Sequence, residues 1–155
     1  MIDGHTWSKD DHLNKKNFMV VFYRGLPCPV CSIFLKQIDN QLLDYKKSNI
    51  EVIAISMDNK DKALKAKSSW SIDNLGIAYG LKEENAREWG LYISKSIKEA
   101  ESYIFREPGL LIIKKDGSLY LANTSNMPWA RPDISDLQAK LIFAQENNYL
   151  VRGNH

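Results

Sequence analysis

The sequence predicts an α/β fold with a central mixed sheet and helices on both faces. Three observations predict it: strand-like apolar runs alternate with helical patterns, the first run has no polar face, and the chain closes with two strands about an Asp-Gly turn and a helix. Strands separated by helices pair in parallel, whereas strands joined by a tight turn pair antiparallel. We therefore expect a sheet that begins parallel and ends antiparallel.

The cysteines of the chain lie where the first predicted strand is followed by the first predicted helix. Residues 18–23, FMVVFY, form the β-branched and aromatic run that is typical of a strand buried on both faces. The letters RGLPCP interrupt this run, and from Pro29 apolar residues recur at helical spacing to about Lys47. A second buried strand is predicted from Ile50 to Met57.

The middle of the chain contains shorter helix-like and strand-like sequence patterns. Residues 58–70 predict a helix that opens with an N-cap at Asp58 or Asn59. Residues 76–81 predict a short strand, and KEENAREWGL after it predicts a helix with acidic residues in its first turn. No element is predicted for residues 91–106.

The end of the chain predicts a hairpin and a helix. Residues 109–123 form two apolar runs about Asp116 and Gly117, a pair of residues that strongly favours a tight turn. Pro132 and Asp133 then open a terminal helix whose apolar residues fall on one face.

Size and charge limit the classes of function. The 155 residues contain no repeat or low-complexity linker, so we expect one domain over residues 1–155. A net charge of +2 is too small to indicate nucleic acid or an anionic membrane as a partner. The apolar runs fall far short of the about 20 residues that cross a bilayer. The N-terminus has no apolar segment of the secretory kind, so we expect a cytoplasmic protein.

Cys28 and Cys31 are predicted to be a redox pair. They lie where a buried strand ends and a helix begins, the place where sites of open α/β sheets tend to lie. Helix N–H groups and the helix dipole can lower a cysteine pKa from about 8.5 into the range of about 3.5 to 7.5. Residues three apart at a helix start lie on one side, so their sulfurs can close a disulfide. Pro29 at the first helical position loses no hydrogen bond.

Two other roles for the pair are weaker. Free cysteines are often small buried apolar residues, but that role leaves the spacing and the flanking Pro27 and Pro29 unexplained. A zinc site would need two further ligands, and the available histidines, His5, His12 and His155, lie near the termini without ligand spacing. We therefore expect neither a metal nor another cofactor.

Four segments of the sequence carry a family resemblance. VVFYRGLPCPVC, EVIAISMD and EPGLLIIKKDGSLY resemble the active-site turn, second strand and closing hairpin of the thioredoxin fold. The closer resemblance is to its redoxin branch, which includes the alkyl hydroperoxide reductase and thiol-specific antioxidant proteins. NMPWARP, residues 126–132, resembles a stretch of peroxiredoxin-like proteins. The resemblance covers residues 18 to about 148 and implies a single thioredoxin-like (redoxin) domain with thiol-dependent oxidoreductase activity.

Two templates in this superfamily assign different roles to the pair. The thioredoxin template makes Cys28 the exposed nucleophile, Cys31 the resolving residue, and Pro108 a cis-proline that faces the disulfide and binds partner chains. The peroxiredoxin pattern PxxxTxxC instead aligns Arg24 with its proline and Cys28 with its threonine. In that alignment Cys31 attacks the peroxide.

The peroxiredoxin template also implies an arginine that holds the thiolate and the peroxide. Arg24 borders the cysteine turn and could support a thiolate there, while Arg106 and Arg131 are the other candidates. We expect Cys28 to attack first, because its sulfur should lie nearest the helix N-terminus and solvent.

Three functions follow from these observations. The leading hypothesis is a peroxiredoxin-like enzyme that reduces hydroperoxides through a Cys28–Cys31 disulfide, which a thioredoxin- or glutaredoxin-type dithiol then reduces. The second is a thioredoxin-like reductase of protein disulfides. The third is a non-enzymatic module that binds a partner through the Pro108 face. A homodimer is compatible with all three.

Overall fold

The computed structural model describes residues 1–11 and 15–153. Its strands are β1 (Asn17–Phe22), β2 (Ile50–Ile55), β3 (Gly76–Ala78), β4 (Ile93–Lys95), β5 (Ile104–Arg106), β6 (Gly109–Ile113) and β7 (Leu119–Thr124). Its α-helices are α1 (Pro29–Asn40), α2 (Leu42–Lys47), α3 (Lys60–Ser69), α4 (Glu83–Glu88) and α5 (Ile134–Glu146), and a short 3-10 helix spans Lys9–Asp11.

Five strands form the central sheet in the order β3-β2-β1-β6-β7. The first three are parallel, β6 runs antiparallel to β1, and β7 runs antiparallel to β6. The predicted mixed sheet, parallel at first and antiparallel at the end, is confirmed. The remaining two strands, β4 and β5, form a separate antiparallel pair inside residues 91–106, where the sequence predicted no element. Strands of three residues are too short to give a recognisable periodicity.

The two faces of β1 explain its unbroken apolar run. Phe18, Val20 and Phe22 pack into one cluster together with Ala86 of α4. The alternating side chains, among them Met19, pack on the other face in a cluster that also contains residues of α1, α2 and α5. Side chains alternate across a strand, so a strand covered on both faces needs apolar residues at every position. Helices on both faces are thus confirmed.

The predicted helix from Pro29 to about Lys47 is two helices. The break falls at Gln41, whose φ of −100° and ψ of 6° depart from helical values. The Gln41 side-chain amide donates to Oγ of Ser135 at 2.8 Å, which ties the break to α5. The buried Tyr45 of α2 extends this contact, because its hydroxyl donates to a carbonyl of the same helix. Apolar spacing continues through the break and does not reveal it.

The closing hairpin and terminal helix follow the sequence prediction. Gly117 has a φ of 85° and donates its N–H to the Lys114 carbonyl at 2.9 Å. The Asp116 carboxylate accepts the N–H of Ser118, and Asp133 caps α5. Within the described residues, none of the helices has the length and apolar composition needed to cross a membrane.

Candidate redox site

Cys28 and Cys31 form a disulfide at the N-terminus of α1, with their Cα atoms 5.2 Å apart. Cys28 is the N-cap residue and Pro29 occupies the first turn, as predicted. The Cys31 backbone N–H donates to Sγ of Cys28 at 3.3 Å. Cys28 is 5% exposed and Cys31 is fully buried. The cysteine spacing therefore places both sulfurs in one helical turn, with Cys28 on the more accessible side.

Arg131 reaches the sulfur of Cys31 from the loop before α5. Its Nη2 donates to Sγ of Cys31 at 3.0 Å, and its Nε donates to the Pro128 carbonyl at 2.7 Å. The guanidinium lies over the Phe34 ring of α1, with 4.9 Å between Cζ and the ring centroid. These contacts fix a cation beside one sulfur of the pair.

Burial and nearby charges act on the Arg131 guanidinium. Burial lowers the pKa of Arg131 to about 10, the charge of Arg24 adds to this effect, and Glu107 opposes it. A guanidinium with that pKa is still protonated at neutral pH. Arg131 thus keeps its positive charge next to the disulfide.

Arg24 follows β1 and faces the β4–β5 segment. Its Nη2 lies 2.9 Å from Oε1 of Glu101, and its Nε lies 3.2 Å from Oε2 of Glu107. Its Cζ lies 4.5 Å from the centroid of the Phe105 ring. Arg24 and Cys28 line the same small pocket. Within the described residues its hydrogen bonds go to this segment and not to a sulfur.

Arg106 is completely buried at the end of β5. Its Cζ lies 5.3 Å from the centroid of the Phe22 ring and 5.9 Å from that of Tyr23. Burial lowers the pKa of Arg106 to about 9, while Tyr23 and Asp58 act in the opposite direction. Among the described residues its guanidinium nitrogens have no hydrogen-bond partner. Of the arginines considered from the sequence, Arg131 is the one that contacts a cysteine sulfur.

Asp58 holds the loop that precedes the cysteines. Its Oδ2 accepts the Leu26 N–H at 2.8 Å, and the residue is 4% exposed. Burial raises the pKa of Asp58, while the Leu26 N–H, Lys62 and Arg106 favour its ionised form. Gly25 passes so close that a Cβ atom would lie 2.7 Å from Oδ1 of Asp58. The carboxylate therefore orients the turn that leads into α1.

The sequence suggested only a capping role for Asp58. The cap of α3 is Asn59, whose side chain accepts the Lys62 N–H at 3.0 Å. Asp58 is therefore free to bind the loop after β1. The sequence did contain a signal for this contact. Asp58 follows the second predicted strand, and parallel neighbouring strands end at the same edge of the sheet.

Pro108 differs from its predicted role. The peptide before Pro108 is trans, so the prediction of a cis-proline is wrong. The Glu107 N–H donates to the Tyr92 carbonyl at 2.8 Å, and the Pro108 carbonyl accepts the Ser125 N–H at 3.1 Å. The chain passes directly from β5 to β6 between these contacts. Pro108 is also buried, which leaves the hypothesis of a binding module without the exposed proline it requires.

Of the three histidines in the sequence, His5 lies within the described residues. The imidazole of the exposed His5 lies 3.3 Å from a carboxylate oxygen of Asp3. His12 and His155 lie outside the described residues. No group of three or more His, Cys, Asp or Glu side chains in the described part of the chain is placed to hold a metal ion.

Comparisons with known proteins agree with this fold. The sequence model of the AhpC/TSA family matches residues 2–122, which include both cysteines but not Arg131. Peroxidoxin BcpB from Mycobacterium tuberculosis superposes with a TM-score of 0.72 at 12% identity, covering 92% of this chain and 88% of that chain. The mitochondrial 2-Cys peroxiredoxin from Plasmodium falciparum gives 0.71 at 17% identity, covering 93% of this chain and 85% of that chain.

A third similar structure is longer. Peroxiredoxin 6 of Arenicola marina superposes with a TM-score of 0.71 at 18% identity over 90% of this chain, which spans only 66% of its length. A comparison with curated proteins found no match. The structural likenesses confirm the predicted thioredoxin-like fold, and the family match confirms the predicted redoxin family.

Proposed function

Because the chain belongs to the AhpC/TSA family, we propose that it is a thiol-dependent peroxidase that reduces hydroperoxides through its CxxC dithiol. The observation that carries this proposal is the Cys28–Cys31 disulfide at the start of α1, with the Arg131 guanidinium on one of its sulfurs. A disulfide placed at a helix N-terminus beside a cation has the surroundings that favour thiolates.

The first step is the attack of the Cys28 thiolate on a peroxide oxygen. A sulfur–oxygen bond forms, the oxygen–oxygen bond breaks, and the departing oxygen takes a proton to leave as water or an alcohol. Cys28 is thereby oxidised to a sulfenic acid. Its greater exposure and the Cys31 N–H directed at its sulfur favour this assignment.

The second step closes the disulfide. The Cys31 thiolate attacks the Cys28 sulfenic sulfur, the sulfur–sulfur bond forms, and hydroxide leaves and is protonated to water. Arg131 favours the thiolate form of Cys31, because its guanidinium donates to that sulfur. The same contact supports Cys31 as the leaving group when the disulfide is reduced.

The third step returns the enzyme to its dithiol form. A thiolate of an external dithiol of the thioredoxin or glutaredoxin type attacks Cys28, and Cys31 leaves as a thiolate. The second thiol of the reductant then resolves the mixed disulfide. Two electrons pass from the reductant to the enzyme, which balances the two that the peroxide removed.

The peroxiredoxin alignment assigns the first attack to Cys31 instead. The Arg131 contact favours that assignment, because a guanidinium beside a sulfur supports its thiolate. Burial opposes it, since Cys31 is fully buried whereas Cys28 adjoins a pocket. We therefore retain Cys28 as the attacking residue.

Reduction of protein disulfides is the second candidate function. It is favoured by apolar side chains in the loop that carries Arg131, where Met127 is 43% exposed and Trp129 is 69% exposed. Exposed apolar side chains near a redox pair can receive a segment of a substrate protein.

A paired assay separates the two functions. Purified protein should consume NADPH with hydrogen peroxide and a thioredoxin system, and the Cys28→Ser variant should not. Turnover of insulin disulfides without peroxide consumption would reject the peroxidase and support the second function.

We further propose a cytoplasmic location and a homodimeric assembly. Dithiol reductants are abundant in the cytosol, where a cysteine pair is more often catalytic than structural. Light scattering after size exclusion tests the assembly, because a monomer would contradict it.

A further inference from the structure

A small pocket leads to Cys28, and the β4–β5 hairpin, residues 93–106, forms one of its walls. The hairpin contributes Glu101, Ser102 and Phe105 to the lining, and Arg24 lies opposite them. The pocket volume is about 20 Å³. A volume of this size holds about one water molecule.

Several hydrogen bonds hold the β4–β5 hairpin in place beside the pocket. The carboxylate of Glu101 accepts from Arg24 at 2.9 Å through one oxygen and from the Ile97 N–H at 3.0 Å through the other. The ammonium of Lys62 in α3 donates to Oγ of Ser102 at 3.1 Å. Glu101 therefore links two parts of the hairpin tip to each other and links the tip to Arg24, two residues beyond β1.

The ion pair between Glu101 and Arg24 is shielded from solvent. The side chain of Glu101 is only 12% exposed and that of Arg24 is 16% exposed, so solvent screens their attraction weakly. The base of the hairpin is held independently by the pairing of β4 with β5. Removal of the Glu101 carboxylate should therefore loosen the tip, which Lys62 still holds at Ser102, and leave the base in place.

We propose that the β4–β5 hairpin is a size filter over Cys28 and that Glu101 is a specificity-determining residue, with hydrogen peroxide as the preferred substrate. The inference rests on the proposed peroxidase function. The sulfur attacks along the oxygen–oxygen axis from a distance of about 3 Å, so the leaving oxygen must point away from Cys28. Hydrogen peroxide carries no further group on that oxygen. A bulky alkyl group there would overlap the space that the hairpin occupies.

The substrate preference can be measured directly. The values of kcat/KM for hydrogen peroxide and cumene hydroperoxide are compared in the wild type, in Glu101→Ala and in Glu101→Gln. The control is Glu99→Ala, which removes an exposed carboxylate from the same loop.

We expect the wild type to prefer hydrogen peroxide by about ten-fold or more, the order of discrimination that a shaped pocket gives. In Glu101→Ala, kcat/KM for cumene hydroperoxide divided by kcat/KM for hydrogen peroxide should rise about five-fold. Glu101→Gln keeps an acceptor for Ile97 and should give a smaller increase, while Glu99→Ala should give none. Equal use of both substrates by the wild type, or an unchanged ratio in Glu101→Ala, would overturn the inference.

Thiol alkylation tests the filter without any peroxide. In reduced protein that carries Cys31→Ser, the rates of Cys28 with iodoacetamide and with N-(1-pyrenyl)maleimide are compared. Adding Glu101→Ala should raise the pyrenylmaleimide rate about five-fold relative to the iodoacetamide rate. An unchanged ratio rejects the filter. If the ratio changes but the protein consumes no hydroperoxide, the proposed peroxidase function is rejected, and the preference for hydrogen peroxide is rejected with it.

Discussion

The guanidinium of Arg131 donates a hydrogen bond to Sγ of Cys31 at 3.0 Å, although the two residues are 100 positions apart in the sequence. The helix that follows β1 supplies the sulfur, and the loop before α5 supplies the cation. Cys28, the other member of the disulfide, is the more exposed residue, and its sulfur accepts a backbone N–H. The two sulfurs therefore have different surroundings, one suited to encounter a substrate and one suited to leave as an anion.

Loss of the Arg131 cation should raise the pKa of the Cys31 thiol. In a Cys28→Ser background, Arg131→Met should raise that pKa by about one to two units, because a charge-assisted hydrogen bond contributes about 1.5–3 kcal/mol and one unit equals about 1.4 kcal/mol. Thiolate absorbance at different pH values measures it. The matched control is Arg87→Met, which removes an exposed ion pair with Glu83. An unchanged pKa in Arg131→Met would contradict the assigned role.

The order of attack predicts which single cysteine forms a sulfenic acid. After treatment with hydrogen peroxide, Cys31→Ser should give a dimedone adduct on Cys28, because the more accessible thiolate meets the peroxide and its partner cannot close the disulfide. Mass spectrometry of both single variants measures the adduct. An adduct in Cys28→Ser but not in Cys31→Ser would reverse the order and favour the peroxiredoxin alignment.

The turn before the cysteines requires glycine at position 25. Gly25 has a φ of 125°, and an added Cβ would lie 2.7 Å from Oδ1 of Asp58. Gly25→Ala should lower the free energy of unfolding by about 1–3 kcal/mol through backbone strain, together with a contribution from the steric clash. Urea denaturation measures the loss.

Gly80→Ala is the control for that substitution. Gly80 has a φ of 72°, but no atom lies within 4 Å of the position that an added Cβ would take, so only the backbone cost of about 1 kcal/mol remains. Equal losses for the two glycines would show that the contact with Asp58 contributes nothing.

Asp39 should make stability depend on acid pH. This buried carboxylate in α1 accepts the N–H groups of Asp73, Asn74 and Leu75 at 3.1, 2.9 and 2.7 Å. Burial raises the pKa of Asp39, but these hydrogen bonds outweigh it and the net pKa lies below its usual value. The unfolded state then binds the proton more readily, so the stabilisation is present above about pH 4 and is lost as the pH falls through the lower folded pKa.

Substitution of Asp39 tests this pH dependence. Asp39→Asn should cost about 2–3 kcal/mol at pH 7, because an amide oxygen cannot replace both carboxylate oxygens as acceptors. The difference from the wild type should shrink at pH 3, as urea unfolding at both pH values can show. Asp44→Asn, at a half-exposed position of α2, is the control. A difference that stays constant between the two pH values would contradict the prediction.

Local features of the sequence were sufficient to predict the core of the fold. The apolar run of β1, the CxxC spacing and the Asp-Gly turn each act over a few residues, so their structures follow from the sequence directly. The cysteine pair could be placed for the same reason, since the loop after β1 ends where Pro29 opens a helix and the pair lies at that helix start.

Features that depend on distant contacts could not be predicted in this way. Glu101 lies 77 positions from Arg24, in a segment where the sequence predicted no element, so this contact follows from no local pattern. The short β4 and β5 strands lack a periodic signal. Pro108 had the sequence position of an active-site proline, but its peptide geometry depends on how β5 continues into β6.

A single turnover tests the central claim most directly. Reduced protein is mixed with one equivalent of hydrogen peroxide in the absence of reductant, and residual peroxide and protein mass are measured together. We predict that each protein molecule consumes one peroxide and loses two hydrogen atoms as the intramolecular Cys28–Cys31 disulfide forms. Unconsumed peroxide with both thiols intact would contradict the proposed function.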